Sequence, residues 1–246
     1  MLDEIITTWQ EGKDKLPKGP VYTCKYCKKD FKKESTLSVH QCESKRRWQQ
    51  EKEVSVQLGL QSYLRFYVMS QGSAKLKSYA DFVESPYYTA FVKFGRHLVG
   101  IRAVNASAFI DYVIKQNKKL DQWCHELIYL GYLHQHLRKE AVQDALERAL
   151  LEMQEYSDEA PELLTGFSNY FTHGNTNRIC QHIINGRVSP WVVFNCKTGI
   201  AFLERLNEDQ IHLIISTIEP DYWNRKFKDY TADAEWVKSI LVAANL

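Results

Sequence analysis

The sequence predicts a mainly α protein, in which a small basic head precedes an all-α helical domain, and three observations carry that reading. The 246 residues include only 11 glycines and 6 prolines, well under the roughly 12% usual for the pair, which argues against a sandwich of many turn-linked strands. Apolar residues make up 44% and charged residues 25%, a balance that supports a buried core and excludes a disordered chain. Beyond residue 50, apolar residues recur at helical spacing between capping signals.

The organisation divides into a helix and linker (1–20), a compact head (21–47) and a helical domain (48–246). Met1 to Gln10 is expected as a short amphipathic helix with Ile5, Ile6 and Trp9 on one side, followed by a charged linker to Pro20. Val54, Leu58, Leu60, Leu64 and Met69 form one face of a helix that should end near Gly72. Ser85-Pro86, Ser189-Pro190 and Glu219-Pro220 each place proline at a first helical position. Asn105 opens a helix to Gln116, and Leu120 to Met153 is a long helical stretch split near Lys139. Asn207 with Gln210 forms a capping box for Glu208 to Ile218, and Asp233 starts a last helix through Leu241. Trp191 to Cys196 alone has strand-like composition; without a second run to pair with, it reads equally as a short buried helix.

No run of about 20 apolar residues occurs, and Asp3 and Glu4 stand where a signal peptide needs positive charge, so the expected protein is soluble and intracellular. Charge is unevenly spread. From Glu11 to Gln50 eleven Lys or Arg face five acids, a balance of +6, which leaves −4 for the rest of a chain whose total is +2. Any contact with a polyanion is therefore concentrated at the head.

Six cysteines are unevenly placed as well: Cys24, Cys27 and Cys42 lie within nineteen positions, while Cys124, Cys180 and Cys196 are scattered. The pair Cys24-x2-Cys27 can put two thiolates on one ion from a hairpin knuckle. His40, with twelve residues between it and Cys27, can close the site from a following helix, with Phe31 and Leu37 as its small core. In these spacings the segment resembles the C2H2 zinc-finger family over about a tenth of the chain, which implies a ββα-type fold, one structural zinc ion and nucleic-acid binding. The departure is at the fourth ligand. Ser44, Lys45 and Arg46 occupy the usual positions, so Cys42 is the nearby candidate, with water or a remote thiol as alternatives. Residues two apart point about 200° away from each other on a regular helix, so a His40 and Cys42 closure requires a break near Gln41.

If the resemblance extends to groove reading, its base-contacting positions fall on Lys33, Ser35, Thr36 and Val39, a poor set for base discrimination. Lys25, Lys28, Lys29, Lys32, Lys45, Arg46 and Arg47 suit phosphates better. Nucleic acid, DNA ahead of RNA, is the expected partner of the head, a protein that of the body, and no membrane is expected. Nine aromatics between Tyr63 and Phe94 read mainly as core, with Tyr88, Lys75 and Lys77 as an exposed remainder able to stack a base. His134, His136, Cys124 and His125 read as surface histidines and a core thiol rather than a second metal site. With no Gly-rich phosphate loop, nucleophile elbow or zincin motif, the reading is a non-catalytic accessory protein. The rivals are a protein–protein adaptor with a structural zinc knuckle and an unrecognised nuclease. In texture the lysine-rich head on a compact body looks like proteins of large tailed phages, which would place it in a host cytoplasm.

Overall fold

A computed structural model describes residues 20–72, 76–159, 162 and 166–246. The expected helix over Met1–Gln10 and nearly all of its linker lie outside the described residues. The chain divides into two compact units, one through Arg96 and one from His97 onward; the boundary read at 47/48 lies inside the first.

In the first unit, strands β1 (Tyr22–Thr23) and β2 (Asp30–Phe31) form an antiparallel hairpin with Tyr22 opposite Phe31 and Thr23 opposite Asp30. Helices α1 (Glu34–Ser38), α2 (Glu43–Gln49), α3 (Val54–Gln71) and α4 (Tyr79–Glu84) follow, and α5 (Tyr88–Gly100) begins in this unit and ends four residues past its boundary. α3 ends where the sequence places its end, because Gly72 takes φ +68°, a left-handed backbone that side chains resist. Ser78 and Asp81 form a reciprocal capping box at α4. Ser85 accepts from the Tyr87 N–H at 3.1 Å, and the Tyr88 N–H closes on Ser85 O, a turn through Pro86 that leads into α5 at Tyr88, two residues later than the sequence places its start.

The aromatic stripe is the core of this unit. Tyr63, Phe82, Tyr88, Phe91 and Phe94 are all buried, with Tyr63 against Phe82 at 5.1 Å and against Phe91 at 5.5 Å, and Phe82 against Tyr88 at 4.7 Å. Tilted and edge-on pairs of this kind are worth about 0.5–1.5 kcal/mol beyond their burial. Tyr88 is therefore not an exposed remainder; its neighbour Tyr87 is the exposed ring.

The second unit is all-α. Helix α6 (Ala106–Lys115) starts at Asn105, which accepts from the Ala108 N–H. After a short turn at Leu120–Gln122 come α7 (Glu126–His136) and α8 (Val142–Glu159), so the split near Lys139 is real. Then follow α9 (Tyr170–His173), α10 (Thr176–Ile184), α11 (Pro190–Asn195), α12 (Lys197–Glu204), α13 (Glu208–Ile218), α14 (Pro220–Asp229) and α15 (Thr231–Ala243). The Trp191 run is the buried helix α11, not a strand. Ser189 caps it, Pro190 occupies its first turn, and it sits in the core against α8, α12 and α15. Asn207 and Gln210 form the capping box of α13, and α15 starts two residues before Asp233. No helix among the described residues is long and apolar enough to cross a membrane.

Candidate metal centre

The centre is built on the hairpin. The Cys24 N–H donates to Lys29 O and the Lys28 N–H to Cys24 O, both at 2.9 Å, which folds residues 24–29 into a tight knuckle beyond β1. Lys28 turns this knuckle with φ +60°, a left-handed position that costs a non-glycine residue about 1 kcal/mol. Cys24 is buried and Cys27 half-buried on the same side.

From the other side, α1 runs for only five residues. The His40 N–H closes its last turn on Leu37 O, and the chain then leaves the helix. Cys42 adopts extended backbone (φ −127°, ψ 162°) and starts α2, its Sγ accepting from the Lys45 N–H at 3.4 Å. The interruption between His40 and Cys42 is the one the two-residue spacing demands, and it lets both side chains reach one point. Lys45 Nζ donates to His40 O at 3.1 Å, and the imidazole lies 4.7 Å from the Phe31 ring.

Cys24, Cys27, His40 and Cys42 bring their ligand atoms within 4.8 Å of one another, with Cys27 Sγ 3.3 Å from His40 Nε2. A tetrahedral ion with metal–sulfur bonds of about 2.3 Å separates its ligand atoms by about 3.8 Å. The donor set therefore fits one ion at a small cost in adjustment. Its electrostatics ask for one too. The Cys27 backbone N–H lowers the Cys24 pKa to about 7 against the opposing burial, aided by the Tyr26 N–H. At Cys27 the Lys29 N–H favours the thiolate, but burial and the sulfurs of Cys24 and Cys42 outweigh it and raise the pKa. The thiolate favoured at Cys24 and the one disfavoured at Cys27 are in conflict, and a cation between them would relieve it. Among the described residues this is the only such cluster of three or more metal-capable side chains.

Around the centre, Lys25, Lys28, Lys29, Lys32, Lys33, Ser35, Thr36 and Arg46 are exposed, while Lys45 and Arg47 are half-buried. Lys25 and Lys29 lie over the rings of Tyr26 and Phe31. Arg46 pairs with Glu43. Arg47 is engaged by its own protein on three sides. It donates to Val83 O at 2.6 Å, pairs with Glu43 at 3.1 Å and covers the Tyr88 ring at 4.5 Å. That structural part was invisible in the sequence, since its partners lie 36 and 41 positions away.

The other histidines and thiols do not converge. His134 meets Glu219 at 3.0 Å, His136 stacks on Tyr132, and Cys180 and Cys196 are buried in the core of the second unit. Cys196 has a role that composition hides: its sulfur accepts from the Gly199 N–H at 3.1 Å and caps α12. No protein-family model, curated protein or solved structure matches this chain.

Proposed function

We propose that this chain is a non-catalytic nucleic-acid-binding accessory protein, whose three-cysteine, one-histidine centre holds one structural zinc ion and whose basic head grips the phosphate backbone. The observation that carries the reading is the convergence of Cys24, Cys27, His40 and Cys42 at one point inside a segment whose exposed surface is dominated by cations. Zinc with four protein ligands and no open position stabilises a fold and performs no reaction. Lys25, Lys28, Lys29, Lys32, Lys33 and Arg46 offer point charges and few base-edge donors, which favours backbone attachment over sequence reading.

A second reading, docking of the head on a protein, draws on Val39 and Val21, which are 75% and 59% exposed on the same segment. Binding of the zinc-loaded chain to duplex and single-stranded DNA across a salt series separates the two. Six phosphate contacts predict a slope of log K against log salt of about −5, and changing Lys28, Lys29, Lys32 and Lys33 together to Ala should reduce it to about −2. Undetectable binding at low salt would transfer the head to the protein-docking reading.

A further inference from the structure

The cations of the head are unevenly balanced along it. The knuckle over 24–29 holds Lys25, Lys28 and Lys29 and no acid, whereas over 30–38 Lys32 and Lys33 are offset by Asp30 and Glu34. At the start of α2, Arg46 and Arg47 both pair with Glu43, and Lys45 Nζ donates to His40 O. The uncompensated charge lies at the knuckle, so a polyanion is drawn there rather than along α1.

α1 is also poorly built for reading a groove. It spans Glu34–Ser38, about 1.4 turns. Of the four positions that a C2H2 finger would use for bases, Lys33 is the extended cap before the helix and Val39 the cap after it. Only Ser35 and Thr36 lie on the helix, and a hydroxyl does not tell one base from another.

The knuckle offers an aromatic ring instead. In the core of the first unit Tyr63 packs against Tyr67, Phe82 and Phe91. Tyr26 is half-buried, meets no other ring among the described residues, and its hydroxyl has no hydrogen-bond partner among them. Lys25 Nζ lies 4.9 Å over its centroid, and Lys28 Nζ donates to Lys25 O at 2.9 Å. A ring beside cations, with no ring packed on it, suits an unpaired base. A base inside a duplex has both faces covered by its neighbours and must leave the stack to reach such a ring.

We infer that the knuckle receives single-stranded nucleic acid, one base stacking on Tyr26 while Lys25, Lys28 and Lys29 hold the neighbouring phosphates. This strand choice rests on the nucleic-acid reading above and adds to it the form of the strand and the residue that selects it.

Fluorescence anisotropy of the full zinc-loaded chain tests it, at low salt, with a labelled mixed-sequence DNA strand of about 12 nucleotides and the duplex made from it. The strand should bind about tenfold tighter than the duplex. Tyr26→Ala should weaken strand binding about tenfold, the loss of one stacked base, and change duplex binding less than about twofold. Tyr26→Leu, which keeps apolar bulk at the knuckle, should lose as much, and Tyr26→Phe should bind as the parent does. Tyr87→Ala, at an exposed ring outside the head, should change neither form. Changing Lys25, Lys28 and Lys29 together to Ala should make the strand's salt slope shallower by about 2. Equal binding of both forms, unaffected by Tyr26→Ala and Tyr26→Leu, overturns the strand choice and leaves the head a general backbone binder. No binding of either form overturns the nucleic-acid reading and the strand choice with it.

Discussion

His182 is the centre of a buried polar chain in the second unit. The Tyr170 hydroxyl donates to its Nδ1 at 2.7 Å, and its Nε2 faces Glu152 at 3.4 Å, where Arg187 also donates at 3.2 Å. Burial, then the charges of Arg187, Arg178 and Arg102, lower the His182 pKa from 6.5 to about 4. The sign follows from proton counting. Between pH 6.5 and 4 the unfolded chain binds a proton that the folded chain refuses, so the stabilisation is complete above pH 6.5 and is lost as acid is added through this window. Urea unfolding across that range should show stability falling with pH, and His182→Gln should have a shallower fall. An unchanged slope in the variant would remove His182 as the source. Nothing in the sequence marks this residue, because Glu152 and Arg187 reach it from other elements.

At the scale of elements, two glycines set how closely α3 and α5 cross. A Cβ on Gly95 would stand 2.0 Å from Ser55 O and 2.8 Å from the Gly59 N, and one on Gly59 would stand 2.9 Å from Phe91 O. Backbone meets backbone here, and backbone cannot turn aside. Gly95→Ala should therefore destabilise the protein by about 3 kcal/mol. Gly100→Ala, in the same helix with nothing within 4 Å, should be neutral or stabilising by about 0.5 kcal/mol. Thermal unfolding of the two variants makes the comparison.

Much of the element order was legible, and for a physical reason: caps are local. Asn207 with Gln210, Ser189 with Pro190 and Asn105 each satisfy backbone groups within three residues, so their signal lies in adjacent letters. Where the cap was an unusual residue the signal failed. α12 begins at a cysteine, and nothing in composition separates a capping sulfur from a merely buried one. α11 was ambiguous because Val192, Val193 and Phe194 suit a strand, and burial in the core overrode that preference. At the metal centre, the spacing of Cys24, Cys27 and His40 already grouped three of the converging side chains, Cys42 was the nearby candidate for the fourth, and helix periodicity demanded the interruption between His40 and Cys42. The engagement of Arg47 could not.

For the molecule as a whole, the head of the first unit is not a freely hinged appendage. The sulfur of Cys42 is at once a proposed metal ligand and the cap of α2. Along that helix Trp48 packs edge-on against Tyr79 at 5.1 Å, and the Tyr79 hydroxyl donates to Arg47 O at 2.6 Å. Removing the metal should therefore do more than unfold the hairpin. With a chelator present, hydrogen exchange of amides in α2 and α4 should accelerate together with those of 22–40, while amides of α8 and α11 keep their protection. Unchanged exchange in α2 and α4 would mean that hairpin and helices fold independently.

The three-sided engagement of Arg47 also decides where this protein can be cut. A chain begun at residue 48 would keep the Tyr88 ring but lose the cation above it, and would leave Val83 O and the Tyr79 hydroxyl without the groups they meet now. A fragment ended at residue 47 would carry that arginine with no surface to lie on. The smallest transplantable cassette that contains the four candidate ligands is thus not the 27-residue head over 21–47, but a piece that runs on to the end of α5 at Gly100.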